Sequence, residues 1–418
     1  MLFIFLITLS SILAAVFPIA TILLTLLILL MVLIFKNPGL GLGLTIFSAV
    51  LGQLARFNII LLTDALAAIT LLSFWLNMAS KKNRPGEQAW RLPLILFLLW
   101  SLAGWLVNWP EYGDIFSIFY LIRFAIFSCL LFTTGKIQSP NIVRCVFWSI
   151  TLIAALGLAQ IIILPDLTPL TKYGWDPHQN RLVSTWLDPN FVGLALILGL
   201  LLSIVEPAWL FKKVSPKWLK LTLISIFLLS IVLTFSRASY LALAISLLAL
   251  GIFHKASRKT LAITLGLIII LGLIFPRSFE RLKSATEIDA TARFRIKSWQ
   301  NTLAIAKDNL IFGVGFNNFK QAQIKYGTSL NDSHSASGSD SSWLLILADT
   351  GVIGLAIFSW FYFNMLKWLY LDHQNKLKLV LFCFLIGLLF HSQFVNSLFY
   401  SHLLILWLAL IIKKCQTA

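Results

Sequence analysis

The sequence predicts an all-α, polytopic membrane protein with about 12–14 transmembrane helices and one long loop on the outer side. Three observations predict it. Charged residues make up 12% of the chain against 59% hydrophobic, and the mean hydropathy is +0.89. A soluble domain carries about a quarter charged residues, so lipid is the expected solvent. Residues 92–108, 143–164, 218–234, 260–275, 342–364 and 397–412 are each nearly free of charge, and a spanning helix needs roughly 17–25 such residues. Basic residues gather between these stretches rather than within them.

Taken in order, the apolar run 1–35 reads as one long helix or as two short ones broken near Pro18. It has no basic leader and continues past any small-residue cleavage site, so it does not read as a signal peptide. Lys81, Lys82, Arg84 and Arg91 form a first basic cluster, and Lys212, Lys213, Lys217 and Lys220 a second. Lys255, Arg258 and Lys259 form a third, Lys367, Lys376 and Lys378 a fourth, and Lys413 and Lys414 close the chain. They fall on alternate loops, the pattern of cytoplasmic loops under the positive-inside rule. The net charge of +17 thereby has a topological origin, and nucleic acid is not an expected partner.

That alternation sends 109–116, 165–189, 235–238, 276–341 and 391–402 to the opposite side. Only two of these are long. Segment 165–189 is rich in turn formers and aromatics. In segment 276–341, residues 293–308 predict an amphipathic helix, with Phe294, Trp299, Leu303, Ile305 and Ala306 near one stripe. GVGFNNF then reads as a turn, and NDSHSASGSD as a polar linker. This loop is net positive on the translocated side. Either its length exempts it from the charge rule, or it is a surface that holds an anion near the membrane. No internal repeat supports an inverted-repeat transporter. Cys129, Cys145, Cys383 and Cys415 include no CxxC pair, and no disulfide is expected.

Charges inside apolar helices point to function or to pairing. Asp64, in LLTDALAAI, and Arg123, in FYLIRFAIF, are of this kind. They either join helices as an ion pair, with each other or with Arg56, or meet a substrate. Arg237 lies in a very short outward turn beside Ser236 and Ser239; it either snorkels to the interface or faces the bundle mouth. His178, His334, His391 and His402 are outward but lack HxH or HxxxH spacing, and no acidic pair suits magnesium or manganese. GVG lacks the third glycine of a nucleotide fingerprint and no P-loop occurs. Neither metal nor cofactor is expected.

FSRASYLALAISLLAL, RFRIKSWQNTLAIAKDNLIFGVGFNNF and SDSSWLLILADTGVIGLAIF follow one another around the long loop, preceded by RLVSTWLDPNFVGLAL at 181–196. In order, side and spacing they resemble the O-antigen ligase and polymerase family of bacterial surface glycans. On this basis the chain divides into N-terminal membrane helices, 1–180, and a ligase-like membrane domain, 181–418, that includes the outer loop 276–341.

The resemblance implies a GT-C-like fold and an undecaprenyl-diphosphate-linked glycan donor. It also implies a glycan or lipid acceptor and metal-independent glycosyl transfer at the outer face of the inner membrane. The family's first arginine corresponds to Arg237. Its second belongs to an RxxxW element, matched by Arg295 with Trp299; Arg293 is the alternate. The family's ligases place a histidine just before the next span. Here Asp340 stands there, with His334 six residues earlier, as in members resembling polymerases or ligases of other polysaccharides.

Arg237, Arg295 and Asp340 are thus the expected catalytic groups, and Arg123, Arg181, Arg293, Trp299 and His334 the expected substrate contacts. Two guanidinium groups grip a diphosphate leaving group in bidentate fashion, and Asp340 or His334 takes the acceptor proton. The rival reading is a transporter or flippase of lipid-linked sugars, which would scatter charges through the central spans. Here they concentrate at the outer face.

Overall fold

The computed structural model describes residues 18–57, 60–78, 88–133, 141–205, 217–255, 258–277, 290–328 and 338–412. Lys81, Lys82, Arg84, Lys212, Lys213, Arg281, His334, Lys413, Lys414 and Cys415 lie outside them. Fifteen α-helices run along the described chain. The first ten are α1 (Pro18–Lys36), α2 (Pro38–Leu51), α3 (Leu62–Met78), α4 (Arg91–Tyr112), α5 (Ile115–Leu131), α6 (Ile142–Ile163), α7 (Pro189–Val205), α8 (Lys217–Leu233), α9 (Arg237–Phe253) and α10 (Arg258–Ile274). Then come α11 (Ala290–Asp308), α12 (Phe319–Lys325), α13 (Ser342–Tyr370), α14 (Lys376–His391) and α15 (Ser401–Ile412). The protein is an all-α polytopic membrane protein. Helices α4, α6 and α13 are long and apolar enough to cross a membrane, as is Pro38–Ala55, the α2 segment with its last short turn. Shorter apolar helices run beside them.

Pairing of Arg56↔Leu61 and Phe57↔Ile60 makes a minimal hairpin between α2 and α3 that sequence reading did not anticipate.

The most apolar helices occupy the centre. Every residue of α15, and nearly every residue of α7, is buried, as expected of helices hydrophobic all round. Helix α7 packs on α6, α8, α9, α14 and α15, and α15 packs on α2, α5 and α6 as well. Small residues allow close approach where lipid supplies no hydrophobic drive between helices. A Cβ at Gly193 of α7 would lie 2.2 Å from Ser239 Oγ of α9.

The loops sort to the two ends of the bundle. At one end Gln53 meets Tyr400, Arg181 meets the 234–235 turn, and Arg277 meets Gln179 and Asn180. Ser342 meets Ser392 and Asn396 at the same end. At the other, Lys220 and Lys376 both act on His254, Lys378 pairs with Asp372 at 2.9 Å, and Trp90 packs on Trp368. The described parts of the segments assigned outward by charge alternation thus share one end, and the described basic ones share the other.

Helix α13 is broken where the GVG turn docks. Gly351 has φ 68°, and the backbone there is joined to 310–315 by Val314 N–H to Ala348 O, Gly315 N–H to Asp349 O and Val352 N–H to Leu310 O, at 2.8, 3.0 and 2.8 Å. A side chain at Gly351 would meet Ile311 O at 2.1 Å. GVGFNNF and ADTGVIG are therefore two halves of one clamp that fixes the outer segment to a membrane helix.

Candidate active site at one end of the bundle

Helix α11 carries Arg295, Ser298, Trp299 and Thr302 on one face, at i, i+3, i+4 and i+7. That face docks against the segment leading into α13. Ser298 Oγ accepts from the Asp340 backbone N–H at 3.2 Å, and Thr302 Oγ donates to Ser339 Oγ at 3.0 Å. Trp299 packs on Phe394, ring centroids 6.2 Å apart, tying the helix to the loop before α15.

This docking brings Arg295 within electrostatic reach of Asp340. Arg293 lies off the docked face and is exposed, as is Phe294. The geometry thus separates the two arginines that the sequence left as alternates.

Asp340 is an unusual loop carboxylate. Burial holds its pKa above the ordinary carboxylate range, while Arg295 pulls it down and Asp176 pushes it up. Asp176, on segment 164–188, acts on Asp188 as well. Asp188 caps α7: its Oδ1 accepts from Asn190 N–H at 2.7 Å and Phe191 N–H at 3.3 Å. Burial raises the Asp188 pKa against these hydrogen bonds.

From Asn190 the contacts run on to the arginine turn. Asn190 Oδ1 accepts from Ser236 Oγ at 2.7 Å, and Ser236 Oγ in turn accepts from Ser239 N–H at 3.2 Å, capping α9. Arg237 is the first residue of that helix and is half-buried. Interactions thus run from Asp340 through Asp176 and Asp188 to the turn that carries Arg237.

Arg181 is placed differently from the sequence expectation of a substrate contact. Its Nε donates to Thr234 O at 2.9 Å and its Nη2 to Phe235 O at 3.3 Å. It braces the turn that presents Arg237, whose Phe235 has φ 47°. Arg181 also acts on His178, which burial and this neighbour together lower to about 4.

Arg123 is held within the bundle by an acidic partner. Its Nε pairs with Asp64 Oδ2 at 2.9 Å, and its guanidinium lies 4.8 Å from the Tyr120 ring centroid. The interhelical pair is the alternative the structure contains. Of the expected site residues, the structure thus brings Arg295, Trp299 and Asp340 together through the docking of α11, places Arg237 on the turn that Arg181 holds, and pairs Arg123 with Asp64. His334 lies outside the described residues.

Sequence reading did not place Asp176, Asp188 or His391 beside the candidate residues. His391 is fully buried, its Nδ1 is 3.2 Å from Ser397 Oγ, and it lies within reach of the Arg295 charge. For Asp188 a signal existed: Asp before a proline at the first helical position is a helix-start signature. Asp176 and His391 reach the site only through folding of distant loops. Among the described residues no three histidine, cysteine or acidic side chains gather in a metal-binding group.

Comparison with known families matches residues 221–359 to the family described as O-antigen ligase. The matched stretch is about a third of the chain. It spans Arg237, Arg293, Arg295, Trp299 and Asp340, together with both halves of the GVG clamp. No curated protein matches the chain.

The charge arrangement around Asp340 makes a signed prediction. A general base must be ionised, so activity falls as pH drops through its pKa. With a raised carboxyl pKa, the acid limb of kcat/KM lies above the ordinary carboxylate value of about 4. Asp176→Asn removes a like charge and moves that limb to lower pH. Arg295→Gln removes the opposite charge and moves the limb of the residual activity to higher pH. Rate–pH profiles of the three proteins check both directions.

Proposed function

We propose that this chain is a metal-independent glycosyltransferase that moves an undecaprenyl-diphosphate-linked oligosaccharide onto a glycan or lipid acceptor. It acts at the outer face of the bacterial inner membrane. The observation that supports the reading best is the docking of α11, which sets Arg295 within electrostatic reach of Asp340. Cleaving the anomeric bond to a diphosphate leaves charge on phosphate oxygens. Two planar guanidinium groups meet such oxygens in pairs and stabilise that charge as it forms. Asp340 takes the proton of the attacking hydroxyl, and its raised pKa brings it closer to that task than a solvated carboxylate. Arg181 holds the Arg237 turn, and Trp299 holds α11 in place.

Ligase and polymerase share this chemistry and differ in acceptor. Asp340 at the position of the ligases' histidine supports a polymerase, or a ligase of another surface polysaccharide. The test uses purified protein with a lipid-linked glycan and either a second lipid-linked glycan or a lipid acceptor. Product forms with one acceptor class and survives EDTA within about twofold, a margin small beside the several kcal/mol a catalytic metal supplies. Abolition by EDTA with rescue by magnesium or manganese overturns the metal-independent reading. Absence of product with both acceptors overturns the transfer itself.

A further inference from the structure

We infer that the end of α11 and the GVG turn enter the bilayer as a re-entrant wedge, with Leu310 and Ile311 against the acyl chains of the leaflet on the site's side. Two tryptophans of the α4 span give the scale. Trp90 packs on Trp368 at the basic end, and Trp109 is 40% exposed near the opposite end. Tryptophan favours both membrane–water interfaces. Trp109 lies 19 residues beyond Trp90, a helical rise of about 28 Å, close to the roughly 30 Å of a hydrocarbon core.

Phe312 docks inside that limit. Its ring stacks on Trp100 with centroids 4.6 Å apart, and a Cβ at Gly104 would lie 3.0 Å from Phe312 O. A Cβ at Gly315 would lie 3.3 Å from Gly104 O. Gly104 is five residues nearer the basic end than Trp109, a depth of about 7 Å. Helix α13 agrees independently. Gly351, whose Cβ would meet Ile311 O, lies 17 residues from Trp368, a rise of about 25 Å. Both spans thus set 311–315 on the hydrocarbon side of the interface.

The turn is built for that depth. Irregular backbone persists among acyl chains only where protein covers it and satisfies its polar groups. Gly313, Val314, Gly315 and Phe316 are buried. The N–H groups of Gly313, Val314, Gly315 and Asn317 donate to Asn309 O, Ala348 O, Asp349 O and Asp349 Oδ2.

The exposed side chains that open the turn are apolar. Leu310 and Ile311 are 53% and 58% exposed, and α13 exposes Val352 and Ile353 beside them. On α4, Leu102 and Leu106 are exposed on either side of Gly104. The lipid-facing surface of two spans therefore continues across the wedge, and acyl chains cover such a surface without the cost that water exacts. Lys307, exposed one turn before Ile311, stands where an ammonium reaches headgroup phosphates. This seating fixes the height of the helix that carries Arg295.

Spin-label accessibility tests the wedge in vesicles of phosphatidylethanolamine and phosphatidylglycerol. Ile311→Cys, Val352→Cys and Lys297→Cys are each labelled in the full chain, with Cys129, Cys145, Cys383 and Cys415 changed to alanine. All three positions are exposed, so the labels leave the packing of the turn intact. Molecular oxygen concentrates among acyl chains and a nickel chelate in water. The label at 311 collides preferentially with oxygen, as the label at 352 does, and the label at 297 with the chelate. Preference for the chelate at 311 puts the turn in water and overturns the wedge. Shielding from both reagents at 311 puts protein there in place of lipid and overturns it equally. The readout needs no turnover, so it stands or falls apart from the transferase reading.

Discussion

Arg295→Lys and Arg237→Lys each lose about 10²–10³ in turnover, while both proteins insert and accumulate as wild type does. A lysine keeps the charge but not the fork that meets two phosphate oxygens at once. Each change therefore removes stabilisation at the moment the diphosphate departs. Arg293→Lys supplies the internal comparison: two residues from Arg295, it lies on the exposed face of α11 and changes turnover by less than about threefold. Rates from purified, quantified protein decide the matter. Equal loss in all three variants would make the loop a diffuse basic surface and remove the paired-arginine account.

Asp340→Asn loses about 10²–10⁴ in kcat, the usual contribution of a positioned general base. The amide keeps the size of the side chain, and the docking hydrogen bond to Ser298 comes from the Asp340 backbone N–H, so α11 stays in place. Asp340→His regains part of the lost rate, because a neutral imidazole at this position is the base the resemblance to ligases implies. Its acid limb follows the imidazole rather than the carboxyl. Asp340→Asn at wild-type rate would pass the role of base to another group, with His391 and His334 the first to substitute.

The membrane architecture was legible because lipid imposes it on composition. Apolar runs mark the helices, and alternating lysines and arginines sort the loops to the two ends where the structure has them. Short motifs named Arg237, Arg295 and Asp340 as candidates, but the choice between Arg295 and Arg293 was not legible. Both lie at the start of one amphipathic helix, and only its docking on Ser339 and Asp340 tells which face is inward.

Arg181 and Arg123 show the same boundary. Each reads as a functional cation, yet one braces carbonyls of the 234–235 turn and the other pairs with Asp64 from a different helix. Asp176 and His391 meet the site from loops more than 200 residues apart in sequence. No local pattern encodes that meeting. The broken helix at Gly351 was hidden for a related reason: its φ follows from the 310–315 backbone lying against it.

Transfer and flipping of a lipid-linked glycan are separated most directly in sealed proteoliposomes. The donor is placed in the outer leaflet and a membrane-impermeant glycan acceptor outside, with the protein oriented by selecting vesicles whose 290–328 segment is accessible. The account predicts glycan on the external acceptor and one free undecaprenyl diphosphate for each unit transferred, both lost in Arg295→Lys. Passage of intact lipid-linked glycan to the inner leaflet, with no undecaprenyl diphosphate released, would contradict it.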